Sequence, residues 1–194
     1  MNLAEEVASI GWRDLLFVLI LALFFTGIFV GASFLVSGFW LAAISLACLV
    51  LGLSVCMYVL KKFLIGAFFF LLFSGGSYFV VGLGAQGGEK ILAFVLAGLL
   101  FEAVYMLVRV ISHKVYRGIF IGAVVSVTSL PLIVTALVSW EIVWKFPIGL
   151  INLLMVGFLV SLGVSLIWRM IWQFIKNRKW MIKLESKLGS LKIR

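Results

Sequence analysis

Residues 91–110 read ILAFVLAGLLFEAVYMLVRV, an apolar run whose middle holds one carboxylate, Glu102. A helix needs about 20 apolar residues to cross a bilayer of roughly 30 Å, so this run is long enough to span a membrane. Because lipid offers no hydrogen-bond partners to the backbone, such a span is predicted to be helical. The sequence contains six runs of this kind, at about 15–36, 39–60, 63–83, 91–110, 118–140 and 147–171.

The overall composition supports the same class. The 194 residues are 65% hydrophobic and 12% charged, whereas a soluble domain is about 45–50% apolar and about 25% charged. Soluble and disordered proteins are therefore excluded. Short connections predict that helices adjacent in sequence pack antiparallel. We predict an all-α, polytopic bundle of six transmembrane helices over 1–175, followed by a basic juxtamembrane tail over 176–194.

The distribution of positive charge predicts the orientation. With the N-terminus in the cytoplasm, 14 of the 16 lysines and arginines fall on the cytoplasmic side, and only Lys90 and Lys145 fall outside. This asymmetry follows the positive-inside rule. We therefore expect a multi-pass protein of the cell (plasma) membrane with both termini in the cytoplasm. The net charge of +9 is attributed to this orientation and not to nucleic-acid binding.

The tail combines basic and apolar residues at helical spacing. Trp180, Leu184, Leu188 and Leu191 share one face, and lysines surround them. This pattern predicts a basic amphipathic helix that lies on the anionic lipids of the inner leaflet. A docking surface for a protein partner is the alternative.

Glu102 is the leading candidate site residue. Steps of three and four place Glu102, Tyr105, Arg109 and Ser112 on one helical face. A carboxylate at this depth costs several kcal/mol unless it is paired, hydrated or protonated, so it is expected to face the bundle interior or a water-filled cavity. Glu102 and Tyr105 are predicted to contact a substrate. The alternative is a structural tether, with Glu102 bonded to a neighbouring helix or to Arg109.

Further polar residues lie in the fifth and sixth spans. Thr128, Ser129 and Asn152 would supply a substrate cavity with polar contacts, or else bond one helix to another. The glycine-rich segment 74–88 is predicted to form an extracellular rim or gate, with an ordinary loop as the alternative.

The first span has a face of small residues formed by Gly27, Gly31 and Ala32. Such faces let two helices approach closely in lipid. Two uses remain open for this one, which are packing inside the bundle and docking on a second membrane protein.

Enzymatic chemistry is not indicated. The seven acidic residues are scattered along the chain, and the one histidine, His113, lies in a basic loop. No spacing resembles a metal site or a nucleophile–base pair. We expect no catalytic residue, no metal and no cofactor.

Three local features resemble the substrate-binding S components of energy-coupling factor (ECF) vitamin transporters. The segment Trp12-Arg13-Asp14-Leu15-Leu16 leads into the first span as in such proteins, and Gly27 and Gly31 stand where the family shows an Ala-x-x-x-Ala face. Gly98-x-x-x-Glu102 is similar to a glycine and acid pair of several members. The resemblance implies capture of a vitamin-like small molecule from outside, and docking of the first helix on a membrane coupling subunit driven by ATPase subunits.

The sequence thus leaves three functions open. The first is the substrate-binding subunit of a transporter, with the vitamin-like molecule, membrane lipids and a membrane protein partner as its contacts. The second is a non-catalytic interaction or assembly subunit of a larger membrane complex. The third is a self-contained channel, carrier or lipid-handling protein.

Overall fold

The computed structural model describes residues 10–81, 83, 85–138 and 147–188, and these residues form helices and no strand. The helices are α1 (Trp12–Ser33), α2 (Gly38–Leu60), α3 (Ile65–Gly76), α4 (Gly87–Ser112), α5 (Val115–Val138), α6 (Pro147–Ile175) and α7 (Lys179–Lys187). Five of them, α1, α2, α4, α5 and α6, are long and apolar enough to cross a membrane. The predicted class, a polytopic helical membrane protein, is confirmed.

The third predicted span contains a much shorter helix than expected. α3 has 12 residues and is about 18 Å long, less than the roughly 30 Å of a bilayer core. It begins after Leu64, whose φ of 68° is left-handed, and ends at Gly75 and Gly76. Hydropathy extends the predicted span to residues 63–83 because apolar residues continue on both sides, but the backbone turns at those points.

α2 lies at the centre of the bundle. It packs against α1, α3, α5 and α6, and α1, α3, α4, α5 and α6 pack successively, each against the next. Most of α2 is buried within the protein, whereas less than a third of α1 and of α6 is buried. The end that carries the linker between α2 and α3 (61–64) is called the inner end below, as the charge distribution predicts.

α7 follows α6 after a short turn and packs back on the bundle. Met181 and Leu188 are buried, Leu184 is half-buried, and Trp180 is 58% exposed. The face of α7 that packs on the bundle therefore consists of Met181, Leu184 and Leu188. Met181 takes the place on this face that the sequence assigned to Trp180. Leu191, which the sequence assigned to the same face, lies outside the described residues.

Candidate functional site

Glu102 binds the N-terminus of α3. Its Oε1 accepts hydrogen bonds from the backbone N–H groups of Gly66, at 2.8 Å, and Ala67, at 3.2 Å. The first N–H groups of a helix have no partner within the helix and carry the positive end of its dipole. A carboxylate from α4 thus satisfies two donors of α3 and lies where negative charge is stabilised. This contact corresponds to the tether that the sequence left as one alternative.

Two glycines let α3 and α4 approach closely enough for this contact. A Cβ on Gly98 would lie 2.9 Å from the Cα of Ala67. A Cβ on Gly66 would overlap the ring of Phe101 and lie 2.9 Å from Glu102 Oε1. The Gly98-x-x-x-Glu102 spacing therefore has a physical reason here, since the glycine brings α4 against α3 and the acid follows one turn later.

Lys90 binds the other end of α3. Its side chain is fully buried, and its Nζ donates to the carbonyl oxygens of Ser77, at 2.7 Å, and Val80, at 2.9 Å. The same Nζ lies 5.1 Å from the centre of the Phe29 ring and 5.8 Å from that of Phe94. Carbonyl oxygens and aromatic faces stabilise an ammonium group removed from water. Ser77 follows the last residue of α3, so the positive charge lies at the negative end of the helix dipole.

This contact also positions the first part of the glycine-rich segment. The Gly87 N–H donates to the Tyr78 carbonyl at 3.3 Å, and the Gln86 side chain donates to the Phe79 carbonyl at 3.0 Å. Residues 77–80 therefore form a turn bound to the start of α4. Gly82 and Gly84 lie outside the described residues, so the choice between a gate and a loop stays open for that part.

A buried ion pair joins α1 to the α2–α3 linker. Lys62 Nζ lies 2.6 Å from Asp14 Oδ2, and both side chains are 2% exposed. The same oxygen accepts the Gly11 backbone N–H at 2.8 Å. Asp14 lies in the first turn of α1, where negative charge is favoured by the helix dipole. The pair fixes the start of α1 beside the strained linker.

The linker is held from its other side by α4. Lys61 adopts a left-handed φ of 57° and accepts a hydrogen bond from Tyr105 Oη through its carbonyl, at 3.4 Å. Arg109 Nη1 lies 3.4 Å from Tyr105 Oη, and its guanidinium lies over the Tyr105 ring. Glu102, Tyr105 and Arg109 share one face, as the sequence predicts, and the first two are buried against α3 and the linker.

Glu102 also has one carboxylate oxygen without a partner among the described residues. Glu102 is 2% exposed, and its Oε2 has no hydrogen-bond partner among the described residues. An unsatisfied buried carboxylate oxygen is costly, and it accepts a hydrogen bond or a proton readily. A donor group that reached Oε2 would satisfy it while Oε1 stays on α3.

The remaining candidate substrate residues have other neighbours. Thr128 Oγ1 lies 3.3 Å from Ser161 Oγ of α6, and Ser129 Oγ donates to the Ser126 carbonyl at 2.9 Å. Asn152 is exposed on α6. The described contacts of Thr128 thus join α5 to α6, as the alternative of interhelical bonding predicts, whereas those of Glu102 go to α3.

The predicted docking residues divide between two faces of α1. Gly27 and Gly31 are exposed on the outside of the bundle, and a Cβ on either would meet no atom of the described residues within 4 Å. Ala32 is half-buried and packs against the core. Packing inside the bundle therefore does not explain Gly27 and Gly31.

Sequence reasoning missed the roles of Asp14, Lys62 and Lys90. Each lies at the edge of an apolar run, where a charged residue is normally solvated by headgroups and water. The one available signal is that Lys90 directly precedes a span on the side with few positive charges. Among the described residues, no group of three or more His, Cys, Asp or Glu side chains could hold a metal ion.

Comparison with known proteins adds no relative. No family model, no curated protein and no solved structure matches the chain.

Proposed function

We propose that the chain is a non-catalytic subunit of a larger membrane complex, and that it docks on a second membrane protein through the outer face of α1. The observation that carries this proposal is the position of Gly27 and Gly31, which face outward with open space around them. Glycine in a helix interior is unfavourable by about 0.5–1 kcal/mol relative to alanine. A small-x-x-x-small pair that costs stability and packs on none of the described residues suits contact with a partner helix.

The contrast with four glycines at helix contacts supports this proposal. Gly66 and Gly98 lie where two helices touch, and Gly52 and Gly76 are likewise crowded by side chains of other helices. In these places the bundle itself explains the absence of a side chain. Among the described residues no neighbour explains it at Gly27 and Gly31, and a partner helix against this face would.

The test is co-purification of the full chain from its own host in mild detergent. Gly27→Leu and Gly31→Leu are expected to remove a stoichiometric partner, because the larger side chain separates the two helices. Gly149→Leu is the matched control, since Gly149 is an exposed glycine on α6 with nothing within 4 Å of its Cβ position. Equal partner yield from all three variants would overturn the proposal.

A second candidate function is the one that the ECF resemblance implies, namely the substrate-binding subunit of a transporter. The observation that favours it is the buried, unpartnered Oε2 of Glu102. A vitamin-like molecule with an N–H or O–H donor would satisfy that oxygen, and the partner on α1 would be the coupling subunit with its ATPase subunits.

Native mass spectrometry of the gently solubilised complex separates the two candidates. A small molecule that co-purifies with the chain and is lost on Glu102→Gln supports the transport subunit. A protein partner without a small molecule, retained by Glu102→Gln and lost on Gly27→Leu, supports the assembly subunit alone.

A further inference from the structure

A groove of about 400 Å³ lies at the inner end of the bundle between α1 and α7. It exists because the chain turns back after α6, so that Leu184 of α7 and Leu188, which directly follows α7, approach the first turns of α1. Its floor is apolar and is formed by Leu16, Phe17, Ile20, Leu184 and Leu188. Two cationic residues, Arg13 and Lys187, complete the lining.

The charge of the groove is of one sign. Among the described residues that line it, none is acidic. The acid next to Arg13 in sequence, Asp14, is turned into the bundle and paired with Lys62, so among the described side chains it does not compensate the charge of Arg13. Arg13 also lies in the first turn of α1, where the helix dipole disfavours a cation and favours an anion.

The apolar part of the groove continues along the outside of α1. Leu16 is 44% exposed and Ile20 is 57% exposed, one and two turns beyond Arg13. A ligand that fits this arrangement has an anionic group at one end and an apolar chain at the other. An inorganic anion would leave the floor uncovered, and an uncharged chain would leave both cations without a partner.

We propose that this groove binds one anionic phospholipid of the inner leaflet. Its phosphate lies between Arg13 and Lys187, and an acyl chain follows Leu16 and Ile20 along α1. Basic pockets between helices at the cytoplasmic side of a membrane bind such headgroups. The lipid then connects α7 to α1, two elements that are far apart in sequence.

The test uses the full chain, purified in mild detergent and titrated with phosphatidylglycerol or with phosphatidylcholine of the same acyl chains. Native mass spectrometry counts the lipids bound. One phosphatidylglycerol is expected to bind, and phosphatidylcholine is expected to bind more weakly. Arg13→Gln with Lys187→Gln is expected to weaken phosphatidylglycerol binding by about 25-fold, at about fivefold for each cation.

A matched control removes the same charge from α7 outside the groove. Lys179→Gln with Lys183→Gln is expected to change the affinity by less than about threefold, because neither residue lines the groove. An equal loss in this control would show general electrostatic attraction and overturn the site. Equal binding of the two lipids by the unaltered chain would overturn it as well.

A third variant tests the apolar floor without touching the cations. Leu16→Trp fills the groove while the exposed position of Leu16 lets the chain fold, which an unchanged melting temperature confirms. We expect it to lose the bound phosphatidylglycerol. Full retention of the lipid by Leu16→Trp would place the lipid elsewhere.

Discussion

Lys90 and Glu102 lie about three helical turns apart on α4 and bind the opposite ends of α3. Their separation along the axis, about 18 Å, equals the length of a helix of 12 residues. Each charge has the sign that the dipole of α3 favours at its end. α4 therefore fixes the position of α3 along its axis, and this explains how a helix too short to cross a bilayer keeps a defined place in the bundle.

The contact of Glu102 with α3 predicts unequal effects of two substitutions. Glu102→Ala leaves the N–H groups of Gly66 and Ala67 buried without an acceptor, and we expect a loss of about 2–4 kcal/mol in the free energy of unfolding. Glu102→Gln keeps one acceptor oxygen for these N–H groups and replaces the other carboxylate oxygen by an NH2 group, so we expect a smaller loss of about 1 kcal/mol.

Equilibrium unfolding in mixed micelles measures both variants. The glutamine variant serves as the control for side-chain size, because it fills the same space as the acid. If Glu102→Ala were as stable as the unaltered chain, the role of Glu102 in holding α3 would be wrong.

The two ends of α3 are predicted to act independently. Phe69, Phe70 and Phe73 are buried in the middle of the helix and hold it in place when one end is released. Lys90→Met removes the donor to the Ser77 and Val80 carbonyls, and Lys90 is too far from Glu102 to share a partner with it. We therefore expect the losses of Lys90→Met and Glu102→Ala to add within about 0.5 kcal/mol.

A double-mutant cycle by the same unfolding assay measures the coupling energy between the two substitutions. A coupling above about 1 kcal/mol would mean that α3 shifts as one body when either end is freed, against this prediction.

Much of the helical framework could be predicted from sequence, because helices that cross a bilayer are long and apolar and are therefore recognised from composition. The length of α3 could not be predicted in this way. Its boundaries depend on the left-handed backbone at Lys61 and Leu64 and on the Lys90 contact, which are tertiary features. A hydropathy average includes the residues of such a turn, and because apolar residues continue through it the average does not mark the end of the helix.

The candidate site was predictable in part. The depth of Glu102 and the shared face with Tyr105 followed from spacing alone. The hydrogen-bond partners of Glu102 could not be predicted, because they are backbone N–H groups, which every residue except proline has. Asp14 and Lys62 form their pair across 48 positions of chain, and charges at the edges of spans normally face water, so their burial had no local signal.

The Asp14–Lys62 pair predicts a rescue. Lys62→Met leaves the Asp14 carboxylate buried without its cation, and we expect a loss of about 3–5 kcal/mol. Adding Asp14→Asn removes the stranded charge, so the double variant is expected to recover at least half of that loss.

Melting temperature in detergent ranks the single and double variants. Lys179→Met provides the control, since it removes a solvated lysine from α7 and is expected to change stability by less than about 0.5 kcal/mol. If the double variant were less stable than Lys62→Met, the prediction that the buried Asp14 charge causes the loss would be wrong.

The glycines of the bundle predict opposite responses to the same substitution. Gly66→Ala places a methyl group within the ring of Phe101 at the closest approach of α3 and α4, and overpacking of this kind costs about 1–3 kcal/mol. Gly27→Ala and Gly31→Ala meet open space, and the higher helix propensity of alanine is expected to leave stability equal or raise it by up to about 1 kcal/mol. Thermal unfolding of the isolated chain measures the stability of all three variants.

The expected result shows that the two exposed glycines are not needed for folding. A partner lost on Gly27→Leu is then lost because the docking face has changed. If Gly27→Ala destabilised the isolated chain, Gly27 would instead lie in a contact within the bundle.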